Sequence, residues 1–259
     1  MDLKLDGKKA LVTGSTAGIG LAIAEALAME GASVIVNGRT QDRVDQALRR
    51  LPQSARGVAA DLDSAQGVAR LIERVAEVDI LVNNVGIFEA KPFERITDEE
   101  WFRIFEVNVM SGVRLSRRYL PEMVKKGWGR VLFISSESAV QIPAEMIHYG
   151  MTKTAQLAVA RGLAESVAGS GVTVNSVLPG PTRSEGVEQF LESLSRQKGI
   201  STAQVEKDFF REMRPSSLLR RFETPEEVAA LVAFLSSPLA SGTTGAALRV
   251  DGGVVRSIV

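Results

Sequence analysis

The stretch TGSTAGIG, residues 13–20, decides the fold of this chain. It follows an apolar run, residues 9–12, and precedes Ile19, Ile23 and Leu27, which share one face at helical spacing. A glycine-rich turn between a strand and a helix lets the chain turn tightly and brings backbone N–H groups close to a pyrophosphate. The glycines at 14, 18 and 20 therefore predict a dinucleotide-binding turn; a plain tight turn without a ligand is the alternative.

Outward from this turn, short runs rich in Val, Ile and Leu alternate with helical patterns. The runs are KALVTG (9–14), SVIVNG (33–38), GVAADL (57–62), DILVNNVG (79–86), RVLFISS (130–136), VTVNSVLPG (172–180) and ALRVDGG (247–253). Strands that alternate with helices form a parallel sheet covered on both faces. The pattern predicts a Rossmann-type doubly wound α/β fold with a seven-stranded sheet, and no linker divides residues 1–259 into separate domains.

Residues 181–223 separate Gly180 from the helix start at Thr224 and are much longer than a usual connection. Two short helices are predicted within them, because apolar residues recur at helical spacing and Ser201 with Gln204 matches a capping box. The apolar positions are Val187, Phe190, Leu191 and Leu194 in the first helix and Val205, Phe209 and Met213 in the second. We predict a lid over a ligand; extra packing helices or an oligomer contact are the alternative.

Composition removes several classes of chemistry. Lys plus Arg equals Asp plus Glu at 31 each, so no net field attracts nucleic acid or a membrane surface. The chain has no Cys and a single His, which argues against disulfides, a metal centre or a Ser-His-Asp triad. Neither a signal peptide nor a membrane-spanning run is visible, so a cytoplasmic location is predicted.

The end of the second predicted strand bears on the choice of cofactor. An NAD site usually carries an acidic residue there to hold the ribose hydroxyls. This chain reads VNGRT, with Gly38 in the acidic position and Arg39 next to it. A guanidinium can hold a 2'-phosphate, so NADP is preferred and NAD remains possible; an ordinary solvated Arg39 is the alternative. Asp61 and Leu62, which end the third strand, are placed at the adenine edge.

Five motifs in order resemble the short-chain dehydrogenase/reductase family: TGSTAGIG, NNVG (83–86), Asn108 in FEVNVMSG, ISSES (134–138) and YGMTK (149–153). The resemblance runs from about residue 5 to the VDGG at 250–253. It implies a nicotinamide-dependent oxidoreductase that interconverts a ketone or aldehyde and an alcohol, built as a homotetramer or homodimer. Two positions depart from the family pattern: NNVG replaces NNAG, and Ala17 stands where many NADP-dependent members carry a basic residue.

The resemblance also implies roles for single residues. Tyr149 matches the catalytic acid/base, Lys153 its partner, Ser136 the catalytic Ser, and Asn108 the residue that holds a proton-relay water; Ser135 and Ser138 are weaker rivals of Ser136. The predicted cofactor-binding set is Gly14, Ser15, Thr16, Gly18, Ile19, Gly20, Arg39, Asp61, Leu62, Asn83, Val85, Gly86, Tyr149, Lys153, Pro179, Gly180 and Thr182. No metal ligand is predicted.

The spacing of Tyr149 and Lys153 suits this chemistry, because residues four apart share a helix face. We expect the Lys153 ammonium, aided by the charge of the oxidised nicotinamide, to favour the phenolate and to bring the pKa of Tyr149 toward the working pH. Tyr119 has no Lys four residues later and is interpreted as packing. His148, the only His, is interpreted as surface or helix-start packing, with no role in catalysis.

The substrate is the least determined part of the prediction. The predicted substrate is an oxoacyl or other small carbonyl or alcohol compound, which should contact Glu137, Ser138, Gln141, Glu145, Met146, Pro181, Thr182 and the lid. Arg211, Arg214, Arg220 and Arg221 could meet an anionic group, although such a run is often a solvated face. A catalytically silent dinucleotide-binding regulator is the alternative function, and a dehydratase or dehalogenase on the same fold is disfavoured by the intact glycine-rich turn.

Overall fold

The computed structural model describes residues 2–258, apart from the side chains of Gln189 and Phe190, and contains one sheet. Its strands are β1 (Lys9–Val12), β2 (Ser33–Gly38), β3 (Arg56–Ala59), β4 (Ile80–Asn83), β5 (Gly129–Ile134), β6 (Val172–Pro179) and β7 (Ala247–Val250). All seven pair in parallel in the order β3-β2-β1-β4-β5-β6-β7. The predicted doubly wound sheet is therefore confirmed.

The predicted runs extend past the carboxyl ends of most strands. The first run, for example, reached Gly14, whereas β1 ends at Val12. Gly14 has a φ of 60°, a left-handed conformation that takes the chain out of the sheet and into the turn. Residues just beyond β4, β5 and β6, such as Asn84, Ser136 and Gly180, line the cavity described below.

Helices cover both faces of the sheet. They are α1 (Gly18–Met29), α2 (Gln41–Leu48), α3 (Ala65–Arg74), α4 (Asp98–Phe105), α5 (Ser111–Lys126), α6 (Ile147–Ser166), α7 (Glu185–Lys198), α8 (Thr202–Glu212) and α9 (Pro225–Ser236). A single π-helical turn, Glu106–Met110, joins α4 to α5. None of these described helices is long and apolar enough to cross a membrane.

Two apolar clusters hold the layers together. On one face, α1 and α9 pack against the sheet through residues such as Ile23, Leu27 and Val232, all fully buried. On the other face, Leu71 of α3 and Leu115 of α5 belong to the second cluster. Full burial of side chains of this size stabilises a fold by about 1.5–3 kcal/mol each relative to exposure. Strands enclosed on both faces explain the continuous Val/Ile/Leu runs that predicted them.

The strand order fixes where a ligand can bind. β2 and β3 extend the sheet on one side of β1, while β4 to β7 extend it on the other. A crevice therefore opens at the carboxyl ends of β1 and β4, where the winding reverses, which is the usual ligand site of such sheets. Residues that follow these strand ends include Gly14 and Asn84.

The predicted lid forms two helices, α7 and α8, with a small core of their own. Leu191, Val205, Phe210 and Phe222 are buried there, and the rings of Phe209, Phe210 and Phe222 lie 5.0–5.1 Å apart. The predicted contribution of Phe190 lies outside the described side chains. The predicted capping box is only half formed: Ser201 Oγ accepts from Gln204 N at 3.2 Å, but the Gln204 amide donates to Asp208 at 3.0 Å.

Candidate active site

The glycine-rich turn leaves backbone surface open at the mouth of the crevice. Gly14 and Gly18 have φ values of 60° and 53°, which favour glycine. A Cβ on Gly20 would lie 2.4 Å from the Gly14 carbonyl oxygen and 2.5 Å from Asn84 Nδ2, so only glycine fits. The turn meets the N-terminus of α1, a combination that suits a pyrophosphate. The described residues thus fit the dinucleotide that the sequence predicted.

Gly20→Ala is expected to weaken NADPH binding at least tenfold and to lower the melting temperature by several degrees. The reason is that the new methyl group displaces the Gly14 carbonyl or the Asn84 amide. Fluorescence titration and thermal unfolding measure the two effects. Gly162→Ala in α6 is the matched control, because a Cβ there meets nothing within 4 Å, and we expect it to stabilise the helix by about 0.5–1 kcal/mol. Equal behaviour of the two variants would contradict the steric argument.

Three predicted cofactor residues turn their side chains into the protein instead. Ser15 is fully buried; its hydroxyl donates to Val12 O at 2.6 Å and accepts from Asn37 N at 3.0 Å. Leu62 belongs to the second apolar cluster, and Asn83 is 4% exposed. For these three, the structure limits any cofactor contact to the backbone. Only Asn83 lies in a strand, as the last residue of β4; Ser15 and Leu62 lie in the turns that follow β1 and β3.

Gly38 is the last residue of β2, at the position where the sequence predicts the choice between NAD and NADP to be made. Thr16 faces Gly38, where a Cβ would lie 2.4 Å from Thr16 Cγ2, so the absence of a side chain at 38 makes room for the turn. Arg39 and Asp61 are both exposed. A guanidinium at this edge, with no carboxylate at position 38, is compatible with a 2'-phosphate.

Asn84 is a site residue that the predicted set omitted. Its Nδ2 donates to the carbonyl oxygens of Thr13 and Gly14 at 2.9 and 3.1 Å, and its backbone N–H donates to Thr13 Oγ1 at 2.9 Å. Asn84 also lines the central cavity. It therefore ties the end of β4 to the glycine-rich turn, and the doubled Asn of NNVG was the sequence signal for it.

A cavity of about 450 Å³ lies between the strand ends and the lid. Three of the predicted catalytic residues, Ser136, Tyr149 and Lys153, line it together. Predicted cofactor residues at its wall are Ile19, Gly86, Pro179, Gly180 and Thr182. Val85 lies behind the turn, with Cγ2 3.0 Å from the position of a Gly14 Cβ. The fold therefore brings residues at the ends of β1, β4, β5 and β6, and residues of α6, to the same crevice.

Burial determines the pKa values of Tyr149 and Lys153 in the ligand-free protein. Burial raises the pKa of Tyr149 to about 12, and a hydrogen bond with the Ser136 side chain offsets only part of this. Burial also lowers the pKa of Lys153 to about 7. Lys153 Nζ donates to Ile134 O at 2.9 Å and to Gln156 Oε1 at 3.3 Å. In the ligand-free protein Lys153 does not offset the effect of burial on the Tyr149 pKa; the expected lowering, which also involves the charge of the oxidised nicotinamide, stays a prediction.

Asn108 occupies the π-helical turn and is 1% exposed. Its Oδ1 accepts from Ile87 N at 2.8 Å, while its Nδ2 donates to Ile87 O at 2.9 Å and to Thr152 Oγ1 at 3.0 Å. Such a turn often marks a functional position in a helix. The side chain fixes the segment after β4 to α6, and its predicted role in holding a water stays a prediction.

The lid and the segment after β5 form the remainder of the cavity wall. Of the predicted substrate contacts, Glu137, Ser138, Glu145, Met146, Pro181 and Thr182 line the cavity, whereas Gln141 is exposed outside it. Phe88 also lines it and packs edge-on against Tyr149 at 6.1 Å.

The predicted anion site is not formed by the arginine run. Arg211 pairs with Asp208 and Glu212 at 2.7 Å, Arg221 pairs with Glu227 at 2.7 Å, and Arg220 is exposed. Only Arg214 of the four is among the described residues that line the cavity, and it contacts two carboxylates there. Arg214 and Glu137 are 77 residues apart in the chain, so their contact was not predicted from the sequence.

Glu223, at the end of the lid, supports the turn after β6. Its Oε2 accepts from Gly180 N at 3.2 Å, its backbone N–H donates to Pro181 O at 2.9 Å, and its carbonyl accepts from Arg183 N at 2.8 Å. Burial raises the pKa of this carboxyl to about 7. Glu223 was not predicted as a site residue, because no local sequence pattern marks it.

Tyr119 and His148 both pack in the interior. The Tyr119 hydroxyl donates to Val75 O at 2.8 Å, which confirms its predicted packing role. His148 is 2% exposed and contacts the Trp101 ring edge-on at 5.8 Å. His148 is the second residue of α6, so of the two alternatives, surface or helix-start packing, the structure supports helix-start packing.

Comparisons with known proteins agree with this geometry. A family model described as Enoyl-(Acyl carrier protein) reductase matches residues 14–255. The chain belongs to the short-chain dehydrogenase/reductase family, whose members are oxidoreductases acting on CH–OH and C=O groups. Within the residues described, no group of three or more His, Cys, Asp or Glu side chains could hold a metal ion.

Individual relatives cover the whole chain. The uncharacterized oxidoreductase YvaG of Bacillus subtilis is 53% identical, with 100% of both chains aligned. A D-beta-hydroxybutyrate dehydrogenase of Cupriavidus necator is 35% identical over 97% of this chain and 99% of that protein. The crystal structure of L-sorbose reductase from Gluconobacter frateurii, complexed with NADPH and L-sorbose, is similar with a TM-score of 0.94 at 33% identity, covering 100% of each chain.

Proposed function

We propose that this chain is an NADP-preferring carbonyl reductase or alcohol dehydrogenase for a small substrate, contained in one domain. The observation that carries the proposal is the placement of Ser136, Tyr149 and Lys153 in one cavity, next to the glycine-rich turn. The cofactor, when bound, supplies the hydride exchange with the substrate carbon. NADPH in the complex of L-sorbose reductase supports the choice of dinucleotide.

The chain's own residues carry the proton chemistry in this proposal. With a pKa of about 12, the Tyr149 phenol is protonated at neutral pH, which is the form that donates its proton to a carbonyl oxygen during reduction. Ser136 is positioned to donate a hydrogen bond to the same oxygen and to stabilise its developing charge. Lys153 would hold the cofactor ribose, and Asn108 fixes the wall between the segment after β4 and α6.

The regulatory alternative is less well supported, because a protein that only binds a dinucleotide has no need of an acid/base pair beside it. Two of the relatives differ in their substrates. The dehydrogenase of Cupriavidus necator acts on D-beta-hydroxybutyrate, an acid, whereas the reductase of Gluconobacter frateurii acts on L-sorbose, a sugar. An oxoacyl or other small carbonyl compound therefore stays open as the substrate. The cytoplasmic location and the homotetramer or homodimer also stay predictions.

Arg39→Ala is expected to reduce a preference for NADPH over NADH of tenfold or more, about 1.4 kcal/mol, to near equality. The guanidinium is the exposed cation next to Gly38 and would pair with a 2'-phosphate, whereas NADH has no group for it to hold. Fluorescence titration of purified protein with each dinucleotide measures the preference. Arg49→Ala, which removes the same charge at the other end of α2, is the control. If the wild-type protein bound NADPH and NADH with equal affinity, Arg39 would be an ordinary solvated side chain without a role in the choice of cofactor.

A further inference from the structure

A buried ion cluster borders the cavity immediately after Ser136. Glu137 is 3% exposed and Arg214, just beyond α8, is 8% exposed. Glu137 Oε1 accepts from Arg214 Nε at 2.9 Å, and Glu137 Oε2 accepts from Ser138 Oγ at 2.6 Å. Arg214 Nη1 donates to Glu145 Oε1 at 3.4 Å and to Met213 O at 2.9 Å. One cation is thus shared between two carboxylates.

The sign of the charge at this wall follows from the lining residues. Glu89, Glu137 and Glu145 line the cavity there, and Arg214 is the cation paired among them. The other lining cation, Lys153, is engaged with Ile134 O and Gln156. A carboxylate on the substrate would meet an Arg214 that already has two anionic partners and would be repelled by those partners. This wall therefore disfavours anions.

A hydroxyl group fits the same wall well. Carboxylate oxygens of Glu137 and Glu145 accept hydrogen bonds, while the guanidinium of Arg214 donates them. Only a group that both donates and accepts can use both kinds of partner, and an alcohol does so whereas a carboxylate only accepts. The remaining wall is apolar, with Phe88 and Phe209 among the lining residues, which suits the carbon skeleton of a small compound.

We propose that the Glu137–Arg214–Glu145 cluster selects uncharged carbonyl compounds that carry a neighbouring hydroxyl group, and that it excludes carboxylates and phosphates. Glu137 is then a specificity-determining residue. The inference rests on the proposed function, because it assigns the substrate class of that same cavity. The cluster lies close to the reacting position, since the charges of Glu137 and Arg214 both act on Tyr149, the first raising and the second lowering its pKa.

Three size-matched probes test the proposal: hydroxyacetone, butanone and pyruvate. With NADPH and the wild-type chain, we expect kcat/KM for hydroxyacetone to exceed that for pyruvate at least tenfold and that for butanone several-fold. Calorimetry on the NADPH complex of Tyr149→Phe measures binding of the same probes without turnover. Pyruvate used or bound as well as hydroxyacetone overturns the proposal, and so does failure of hydroxyacetone to bind.

The double variant Glu137→Gln/Glu145→Gln should reverse the selection. Arg214 then keeps its charge without its two carboxylates, so the ratio of pyruvate to hydroxyacetone should rise at least tenfold. The surface double variant Glu122→Gln/Glu165→Gln removes the same charge from exposed pairs with Lys125 and Arg161 and should leave the ratio unchanged. Glu145→Gln alone, at a partly exposed position, should shift the ratio in the same direction even if the double variant fails to fold.

The two proposals fail in different ways. A chain that binds neither NADPH nor NADH fails as an oxidoreductase, whatever the probes do. A chain that binds NADPH but keeps the same probe ratio in the Gln variants fails only in the assignment of the cluster.

Discussion

Tyr149→Phe is expected to reduce turnover by about 10²–10⁴-fold, the usual contribution of a general acid or base. The substitution removes the one phenolic proton at the wall of the cavity, beside Ser136. Affinity for NADPH should change only a few-fold, because the ring remains to pack edge-on against Phe88. Steady-state kinetics and a fluorescence titration of the same preparation separate the two effects.

Tyr119→Phe is the matched control, since Tyr119 is the only other tyrosine in the chain. It removes a hydroxyl that donates to Val75 O at 2.8 Å, far from the cavity wall. We expect it to keep full turnover and to lose about 1–3 kcal/mol of stability, because a buried carbonyl is left unpaired. Undiminished turnover in Tyr149→Phe would refute the acid/base role. Loss of NADPH binding in that variant would assign Tyr149 to the cofactor site instead.

Periodicity and turn chemistry predicted the fold because they are local. The seven strands, their parallel pairing and the lid helices follow from apolar runs and breakers that lie within a few residues of each other. The grouping of Ser136, Tyr149 and Lys153 followed from motif resemblance. Their positions at the end of β5 and on α6 explain it physically: both elements deliver side chains to the same crevice.

The ion pairs and the burial of single side chains could not be predicted from local patterns in this way. Arg214 was predicted as a site for an anion, but its partners Glu137 and Glu145 lie 77 and 69 residues earlier in the chain. The pKa of Tyr149 was expected to fall under the charges of Lys153 and the oxidised nicotinamide together, whereas in the ligand-free protein burial dominates and raises it. Local spacing identifies which residues can meet, whereas desolvation depends on everything that packs around them.

Lys153→Met is expected to make the ligand-free chain more stable at pH 7 while reducing its turnover at least 10²-fold. Burial lowers the Lys153 pKa from its ordinary value of 10.5 to about 7, which corresponds to about 4 kcal/mol of destabilisation at neutral pH. Replacement also leaves the Ile134 carbonyl without the Nζ donor at 2.9 Å, which costs about 1–3 kcal/mol. The net gain should be about 1–3 kcal/mol, or a rise of several degrees in melting temperature.

The pH dependence of this gain gives the sharper test. Between pH 7 and 10.5 the unfolded chain retains a proton on Lys153 that the folded chain has lost, so the stability of the wild type rises with pH across this range. Methionine has no such titration, and the advantage of Lys153→Met should therefore be largest at or below pH 7 and should have shrunk by about 3 kcal/mol at pH 9.5. Urea unfolding at pH 7 and at pH 9.5 measures this change.

Lys126→Met is the control, because it removes an exposed partner of Glu77 and Asp79. It should lose up to about 1 kcal/mol of stability at pH 7. A gain for Lys153→Met that is equal at both pH values would show that packing, and not the buried ammonium, limits the stability of this site.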